Sequence, residues 1–204
     1  MTPTILKNIK IPIPTKQIYA RLGYRVSNEI SENERNKINS AVEEAINRVN
    51  LCASYIIVPI ESNNGEIISF SNNLKVNSKK LAEYLSNSKS AYLVGVTAGK
   101  DIVEFRDSAL KDEKDMFTAV IADAVGSETA EGAIDHVHEL LSKQNVRLGK
   151  IVKSVRFSPG YGDLSLVYQK EIVQLLALDK LGVTLSDTNI LYPEKTVTAF
   201  IGVE

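Results

Sequence analysis

The stretch from residue 156 to residue 170 constrains the fold most, because it predicts a strand end, a sharp turn and a helix in immediate succession. Residues 151–157, at its entrance, have the period of two that is typical of a half-buried strand. Pro159 and Gly160 follow. Proline fixes φ at one turn position and glycine tolerates a positive φ at the next, so this pair predicts a type II turn.

A helix is expected directly after this turn. Asp163 or Ser165 can accept a hydrogen bond from the first free backbone N–H groups and cap the helix, and Gly182 can close it. The apolar residues between these limits recur at helical spacing: Leu166, Val167, Ile172, Val173, Leu175 and Leu176. The sequence therefore places a turn without bulky side chains between a strand and a helix.

Arg156, the bare turn and Tyr161 converge at this junction, and together they suggest a ligand site. A guanidinium recognises a planar carboxylate bidentately, and glycines let a ligand reach backbone donors and acceptors. A small zwitterion that carries a ring would fit. Two plainer interpretations stay open: Arg156 forms a surface ion pair with Asp163 or a nearby glutamate, and the Tyr161 ring closes the turn over the core.

The rest of the chain alternates helical and strand patterns irregularly. Ser31 and Glu34 form a capping box before a helix, and Asn63-Asn64-Gly65 predicts the turn of a hairpin. Apolar strands are predicted over residues 91–97 and 196–203. The longest helix is predicted over roughly residues 112–143, where small residues allow a close neighbour.

An N-terminal arm of about residues 1–30 is expected to contain a short strand over residues 9–13 and a brief helix that opens at Thr15. No repeat or low-complexity linker interrupts the chain. We therefore expect a single domain, residues 1–204, of the α+β class, with a twisted mixed or antiparallel sheet packed with helices.

Composition argues against several classes of partner. The chain has 24 basic and 25 acidic residues, a net charge of -1, and no block of like charge. We therefore expect no nucleic acid and no membrane surface as partner. No apolar run approaches the roughly 20 residues of a membrane span, and the polar N-terminus lacks the pattern of a signal peptide, so we expect a cytoplasmic protein.

Neither a metal site nor a catalytic residue is predicted. Cys52 is the only cysteine, so no disulfide or Cys-x-x-Cys site can form. His136 and His138 are two residues apart on the predicted helix and point in nearly opposite directions, so they cannot share one ion. Glu131 and Asp135 share a helix face with His138, but such a pattern more often marks a solvated charged stripe. No histidine lies beside a nucleophile in a recognisable motif.

Several short motifs recur in one order along the chain. Residues 156–164 read Arg-Phe-Ser-Pro-Gly-Tyr-Gly-Asp-Leu, and Gly182-Val-Thr-Leu-Ser186 and Pro193-Glu-Lys-Thr196-Val-Thr198 follow. Val94-Gly-Val-Thr97-x-Gly99, Asp115-Met116 and Asp123-Ala124 precede them. In this order the motifs resemble the activation domain of cobalamin-dependent methionine synthase. The resemblance covers essentially the whole chain, most specifically from Leu93 to Gly202, and implies that family's α+β fold.

This resemblance implies an S-adenosylmethionine site at the Arg-x-x-Pro-Gly-Tyr run. Arg156 would pair with the carboxylate of the methionine moiety, and Pro159 and Gly160 would shape the backbone that meets the adenosine. Tyr161 would pack between the ligand and the corrin rather than donate protons. The full set of implied cofactor-binding residues is Arg156, Ser158, Pro159, Gly160, Tyr161 and Gly162.

The resemblance also implies a division of labour between two chains. The sequence has no Asp-x-His-x-x-Gly run of a cobalamin module and no three cysteines for a zinc site. It would thus be a free-standing accessory subunit of a cobalamin-dependent methyltransferase system in methionine biosynthesis. It would bind S-adenosylmethionine and support reductive methylation of cob(II)alamin on a separate methionine synthase core or other corrinoid protein. That partner would supply the cobalamin, and a flavodoxin-like protein would supply the electron.

An alternative function is a non-catalytic docking partner of a corrinoid protein that does not use S-adenosylmethionine. Two departures from the family pattern support it. Gly162-Asp-Leu-Ser165 stands where domains fused to the synthase have Pro-Ala-Cys-Pro, and Ile201 corresponds to a tyrosine of their last strand.

Overall fold

The computed structural model describes residues 2–24, 30–111 and 115–204. The strands are β1 (Thr4–Leu6), β2 (Cys52–Asn63), β3 (Ile67–Phe70), β4 (Lys75–Asn77), β5 (Ser90–Thr97), β6 (Thr184–Leu185), β7 (Leu191–Tyr192) and β8 (Thr196–Val203). The helices are α1 (Thr15–Arg21), α2 (Glu32–Ile46), α3 (Lys79–Tyr84), α4 (Asp101–Lys111), α5 (Met116–Val146) and α6 (Gln169–Leu175). Single 3₁₀ turns occur at Leu166–Tyr168 and Leu178–Leu181. The predicted α+β class is confirmed.

One curled sheet of six strands organises these elements, and every pairing among the described residues is antiparallel. The strands run in the order β4-β3-β2-β5-β8, and β1 pairs with the first part of β2. β6 and β7 form a separate two-stranded ribbon. Of the two sheet types that the sequence left open, mixed and antiparallel, the structure has the antiparallel one. β8 is the edge strand beside the predicted turn.

Both faces of the sheet are buried, which explains why β5 and β8 are apolar along most of their length. Val94 and Val96 of β5 face the core that α1, α2, α4 and α5 cover. Leu93 of β5 and Phe200 of β8 face a second core under α3 and α6. Gly95 also lies on this second side, where an added Cβ would come within 2.9 Å of Leu178 Cδ2. The side chains therefore alternate between two cores, as the pleat requires.

α5 is the central helix, and it packs against α1, α2, α4 and the strands β2, β5 and β8. The predicted start of this helix, at residue 112, lies outside the described residues, and the observed helix runs from Met116 to Val146. α4 precedes it as a separate helix. At Gly126 an added Cβ would lie 2.9 Å from Lys195 Cγ, so a glycine there lets the entrance of β8 approach the helix closely.

The predicted helix after Ser31 is confirmed as α2. Ser31 Oγ accepts a hydrogen bond from the backbone N–H of Glu34 at 3.2 Å. The Glu34 carboxylate accepts a hydrogen bond from the Tyr24 hydroxyl at 2.9 Å. Ile38 and Ala45 are fully buried on the inner face. The strands predicted over 91–97 and 196–203 are confirmed as well. The predicted hairpin is present, but Asn63 still belongs to β2, so the turn begins at Asn64.

Two predicted strands are wrong. In the N-terminal arm the strand is Thr4–Leu6, and residues 9–13 form none, although the N–H of Ile9 donates to Leu51 O. Residues 151–157 touch β8 only through isolated bridges at Val152 and Phe157. Regular pairing stops between these bridges because the N–H of Gly202 donates to the Tyr84 hydroxyl at 3.1 Å and the Lys153 carbonyl accepts from His138 at 2.7 Å. The Tyr84 hydroxyl in turn donates to the Val155 carbonyl at 2.5 Å.

The helix predicted after the turn is broken into pieces. A 3₁₀ turn leads into the short helix α6, and Ala177 then adopts a left-handed conformation with φ of 48°. Gly182, with φ of 75°, closes the second 3₁₀ turn rather than α6 itself. Among the described residues, none of the helices combines the length and apolarity that a bilayer crossing requires.

We predict that Phe200→Ala lowers the free energy of unfolding by about 3–5 kcal/mol, because it empties a site in a close-packed core. Phe200 is fully buried and stacks on Phe70 with a centroid distance of 5.8 Å. Urea unfolding measures the change. Ile151→Ala is the control, since Ile151 is 66% exposed and its loss should change stability by less than about 0.5 kcal/mol. Equal losses in both variants would contradict the core described above.

Candidate functional site

A cavity of about 540 Å³ opens beside the first half of β8. Its walls come from α5, the segment 156–161, α6, β7 and β8. Four of the six predicted site residues line it: Arg156, Ser158, Pro159 and Tyr161. Gly160 lies in the same turn and Gly162 directly follows it, but neither is a lining residue. The predicted residues thus meet at one cavity, together with others that the sequence analysis missed.

Arg156 forms ion pairs with two carboxylates that lie one turn apart on α5. Its Nη2 donates to Glu131 Oε2 at 3.0 Å, and its Nη1 donates to Asp135. The Arg156 side chain is 22% exposed and that of Glu131 is 48% exposed, so the pair lies at the cavity wall and is partly open to solvent. The interpretation of Arg156 as an ion-pair partner of a nearby acid is therefore correct, but the acid is not Asp163.

The turn has the predicted type II geometry. The N–H of Tyr161 donates to Ser158 O at 3.2 Å, and Gly160, at the third position, has φ of 91°. An L residue at that position would be strained, which explains the glycine. Tyr161 is 71% exposed, so the interpretation that its ring closes over the core is wrong.

Asp163 and Ser165 cap different elements. Ser165 Oγ accepts from the N–H of Val167 at 3.3 Å and so caps the 3₁₀ turn before α6. Asp163 reaches the distant helix α3, where it accepts from the N–H of Lys79 at 2.8 Å and from the Ser78 hydroxyl. The hydrogen bond from Ser78 and those from the backbone lower the pKa of Asp163.

Gln169 and Thr198 form a buried polar pair in the cavity wall. Gln169 is 5% exposed, and its Oε1 accepts from Thr198 Oγ1 at 2.8 Å. With the oxygen occupied, the amide NH₂ is the part of Gln169 that can meet a ligand acceptor. The sequence contains a signal for Thr198 but not for Gln169. Thr196 and Thr198 are two apart on a predicted strand and therefore share a face.

The backbone of β8 adds further polar groups. Phe200 donates to and accepts from Phe157, so its peptide groups point away from β5. Peptide groups of an antiparallel strand alternate in direction with a period of two. Those of Thr198 and Thr196 therefore point outward too, on the side where the cavity lies. A flat polar ligand can pair with such a sheet edge.

A polar stripe on α5 holds two walls of the cavity. Its members recur every four residues and therefore lie in one row along the helix: Asp123, Ser127, Glu131 and Asp135. Lys195 Nζ donates to Asp123 Oδ1 at 2.6 Å and to Ser127 Oγ at 2.9 Å, immediately before β8 begins. Arg156 forms ion pairs with the other two members, Glu131 and Asp135. We call these four residues the α5 stripe.

Arg106 extends the α5 stripe into a partly buried network. Its guanidinium is 12% exposed and pairs with Asp107, Asp123 and Glu194. Burial opposes the charge of Arg106, but its hydrogen bonds to the three carboxylates outweigh burial and raise the pKa of Arg106. Burial likewise opposes the charge of Asp123, yet hydrogen bonds from Lys195 and Arg106 lower the pKa of Asp123.

His138 follows the α5 stripe on the same helix, and its imidazole makes a hydrogen bond with a structural role. It is 8% exposed, and its Nε2 donates to the Lys153 carbonyl at 2.7 Å, which holds the segment before Arg156 against α5. In the portion of the chain that the structure describes, no group of three or more His, Cys, Asp and Glu side chains is placed to hold a metal ion.

Comparison of the fold with solved structures finds a similar domain. A crystal structure of the MetH reactivation domain bound to AdoHcy superposes with a TM-score of 0.71 at 13% sequence identity, over 99% of this chain and 78% of that one. At this identity the likeness establishes the fold. Searches with the sequence find no matching family model and no matching curated protein.

We predict that Asp123→Asn removes part of the acid sensitivity of the fold. Because the pKa of Asp123 is lowered on folding, its stabilising effect is complete above the unfolded value of about 3.9 and is lost as pH falls through the folded value. Thermal unfolding between pH 6 and pH 3 measures this. The variant should be less stable than the wild type at pH 6, and the gap should shrink below about pH 4.

Glu43→Gln, on the exposed side of α2, is the matched control and should follow the wild type at every pH. A gap between Asp123→Asn and the wild type that stays constant down to pH 3 would contradict the role of the Asp123 ion pairs.

Proposed function

We propose that the cavity beside β8 binds S-adenosylmethionine, and that the protein is an activation subunit for a separate corrinoid protein such as a methionine synthase core. One observation supports this most: Arg156, the type II turn and an exposed Tyr161 meet at one cavity. The fold around that cavity is similar to that of a reactivation domain bound to AdoHcy, the demethylated form of S-adenosylmethionine.

The amino-acid end of such a ligand is complementary to the Arg156–Glu131 pair. Both residues line the cavity and lie 3.0 Å apart as an ion pair. A zwitterion can insert here, because its carboxylate replaces Glu131 on the guanidinium while its ammonium group pairs with Glu131. Asp135 can stay on Arg156 throughout. Two pairs with the ligand thereby replace the one between Arg156 and Glu131, so binding leaves neither protein charge without a partner.

The nucleoside end matches the rest of the cavity. Phe157 and Leu191 offer apolar surface for a ring. The amide of Gln169 and the outward peptide groups at Thr198 offer a donor and an acceptor in the same wall. A volume of about 540 Å³ lies within the range of about 300–1,000 Å³ that small-ligand sites occupy.

The protein's part in the reaction would be to hold and orient the ligand. When bound, S-adenosylmethionine supplies a sulfonium methyl group for the partner's reduced cobalamin, once a flavodoxin-like donor has provided one electron. Arg156 and Glu131 would fix one end of the ligand, and the wall at Gln169 would fix the other. Holding the methyl group in line with its acceptor makes the transfer effectively unimolecular. No side chain needs to accept a proton in this step.

We predict that calorimetry with S-adenosylmethionine detects saturable binding that Arg156→Ala weakens at least about tenfold. One hydrogen bond to a charged group contributes about 1.5–3 kcal/mol, and about 1.4 kcal/mol corresponds to tenfold in affinity. Arg147→Ala is the matched control, because Arg147 is an exposed arginine outside the cavity. Equal affinity of the wild type and Arg156→Ala would contradict the assigned carboxylate site.

The same titration separates the main proposal from a docking role. A wild-type protein that releases no heat with S-adenosylmethionine, but still binds a corrinoid protein in a pull-down, would be a docking partner that does not use the ligand. The departures from the family pattern at residues 162–165 and at Ile201 are the observations that favour this second function.

We predict that Tyr161→Ala keeps the affinity for S-adenosylmethionine within about threefold but slows methyl transfer to the corrinoid protein at least about tenfold. The ring is 71% exposed at the edge of the cavity, so it is placed to contact a docked partner more than to bury the ligand. An aromatic contact contributes about 0.5–1.5 kcal/mol beyond the free energy of burying its apolar area. The two contributions together account for a tenfold slower transfer. Stopped-flow absorbance of the cobalamin measures the rate, and Tyr192→Ala is the control.

A further inference from the structure

α3 and its flanking residues hold the ligand turn from both sides. Before the turn, the Tyr84 hydroxyl donates to Val155 O at 2.5 Å, and the Tyr84 ring stacks on Phe157 with a centroid distance of 5.9 Å. After the turn, the N–H of Asn77 donates to the Tyr168 hydroxyl at 2.9 Å. The chain from 155 to 168 is therefore attached at both ends to one short stretch, residues 77–84.

Asp163 is the third attachment, and it lies closest to the turn. Its carboxylate accepts from the N–H of Lys79 at 2.8 Å, from the N–H of Lys80 at 3.4 Å and from the Ser78 hydroxyl. These partners are more than 80 residues away in sequence. Gly162 is in close contact beside it, since an added Cβ would lie 2.7 Å from Lys80 Cδ.

α3 has a cap of its own without Asp163. Ser78 Oγ accepts from the N–H of Leu81 at 3.0 Å, which is the ordinary N-cap bond. The bonds of Asp163 are additional to this cap. Their main effect is therefore on the segment that carries Asp163, because they fix the position of that segment relative to a helix that Ser78 already caps.

The position of Asp163 is transmitted to the turn through its neighbour. Leu164 is 2% exposed and anchors the backbone in the core. Its carbonyl accepts from the N–H of Gly160 at 2.8 Å, and its N–H donates to Tyr161 O at 3.1 Å. Once residues 163 and 164 are fixed, these two bonds fix the peptide groups of the turn.

We infer that Asp163 is a positioning residue that preorganises the turn of Ser158, Pro159, Gly160 and Tyr161 for its ligand. It touches α3 rather than the cavity, and it acts through the Leu164 backbone. A loop that is already ordered loses less conformational freedom on binding, so preorganisation raises affinity. The inference rests on the proposed function for the identity of the ligand, but not for the order of the turn.

The test compares Asp163→Ala and Asp163→Asn with the wild type in three measurements. Amide hydrogen exchange of Gly160, Tyr161 and Leu164 in the free protein reports the order of the turn. Calorimetry with S-adenosylmethionine reports affinity, and the urea midpoint reports global stability. Ser165→Ala is the matched control, because it removes a capping side chain from the same loop without touching α3.

We expect Asp163→Ala to speed exchange of these amides at least about tenfold and to weaken ligand binding about tenfold, because binding must then supply the free energy that orders the turn. Asp163→Asn should fall between it and the wild type, since one acceptor oxygen remains. The urea midpoint and the exchange of Leu81 should change little, because Ser78 still caps α3. Ser165→Ala should leave the exchange of Gly160 and the affinity within about threefold of the wild type.

Three results would overturn the inference: unchanged turn exchange in Asp163→Ala, faster exchange with unchanged affinity, or a uniform rise in exchange with a lower urea midpoint. The last would show a purely structural cap. If Asp163→Ala does not fold, Asp163→Asn decides by the same criteria. A wild type that binds no S-adenosylmethionine would contradict the proposed function, whereas the exchange data would still decide whether Asp163 orders the turn.

Discussion

The ion pairs and hydrogen bonds made by the α5 stripe are the interactions on which the cavity depends. Lys195 and Arg156 are 39 positions apart in sequence, and both bind to this one helix. Lys195 contacts Asp123 and Ser127. Arg156 contacts Glu131 and Asp135. The Lys195 and Arg106 side chains are only 12% exposed, so salt screens their ion pairs less than those of an open surface. Two separate segments are thereby held at a fixed distance, and the cavity is the space between them.

The position of the site follows from the way the sheet ends. β8 pairs with β5 along its whole length, whereas on its other side the described residues form two isolated bridges with it. The chain leaves this edge after Phe157 and returns as α6, so the first half of β8 keeps an open flank. An open edge strand is usually an aggregation risk. In this protein the turn, α6 and β7 surround it, and the edge becomes one wall of a small cavity.

Local patterns in the sequence predicted the elements whose form local residues decide. The Ser31 cap, the Asn64-Gly65 hairpin and the Pro159-Gly160 turn each depend on residues within four positions, and each is found. The failures come from distant contacts. Residues 151–157 alternate like a strand, but the Tyr84 hydroxyl takes the Gly202 N–H, and no local pattern contains that contact. Glu131 was recognised only as part of a charged helix face, because its partner Arg156 lies 25 positions away.

The internal pairing of Arg156 has a consequence for selectivity. A bare guanidinium in a cleft would attract phosphate, sulfate and nucleotides that are abundant in any cell. Here two carboxylates of α5 already neutralise it. A simple anion would have to compete with Glu131 for the guanidinium, and it would meet the negative charges of Glu131 and Asp135 beside it. The resting ion pairs of Arg156 therefore disfavour simple anions, and they are compatible with the zwitterionic ligand proposed above.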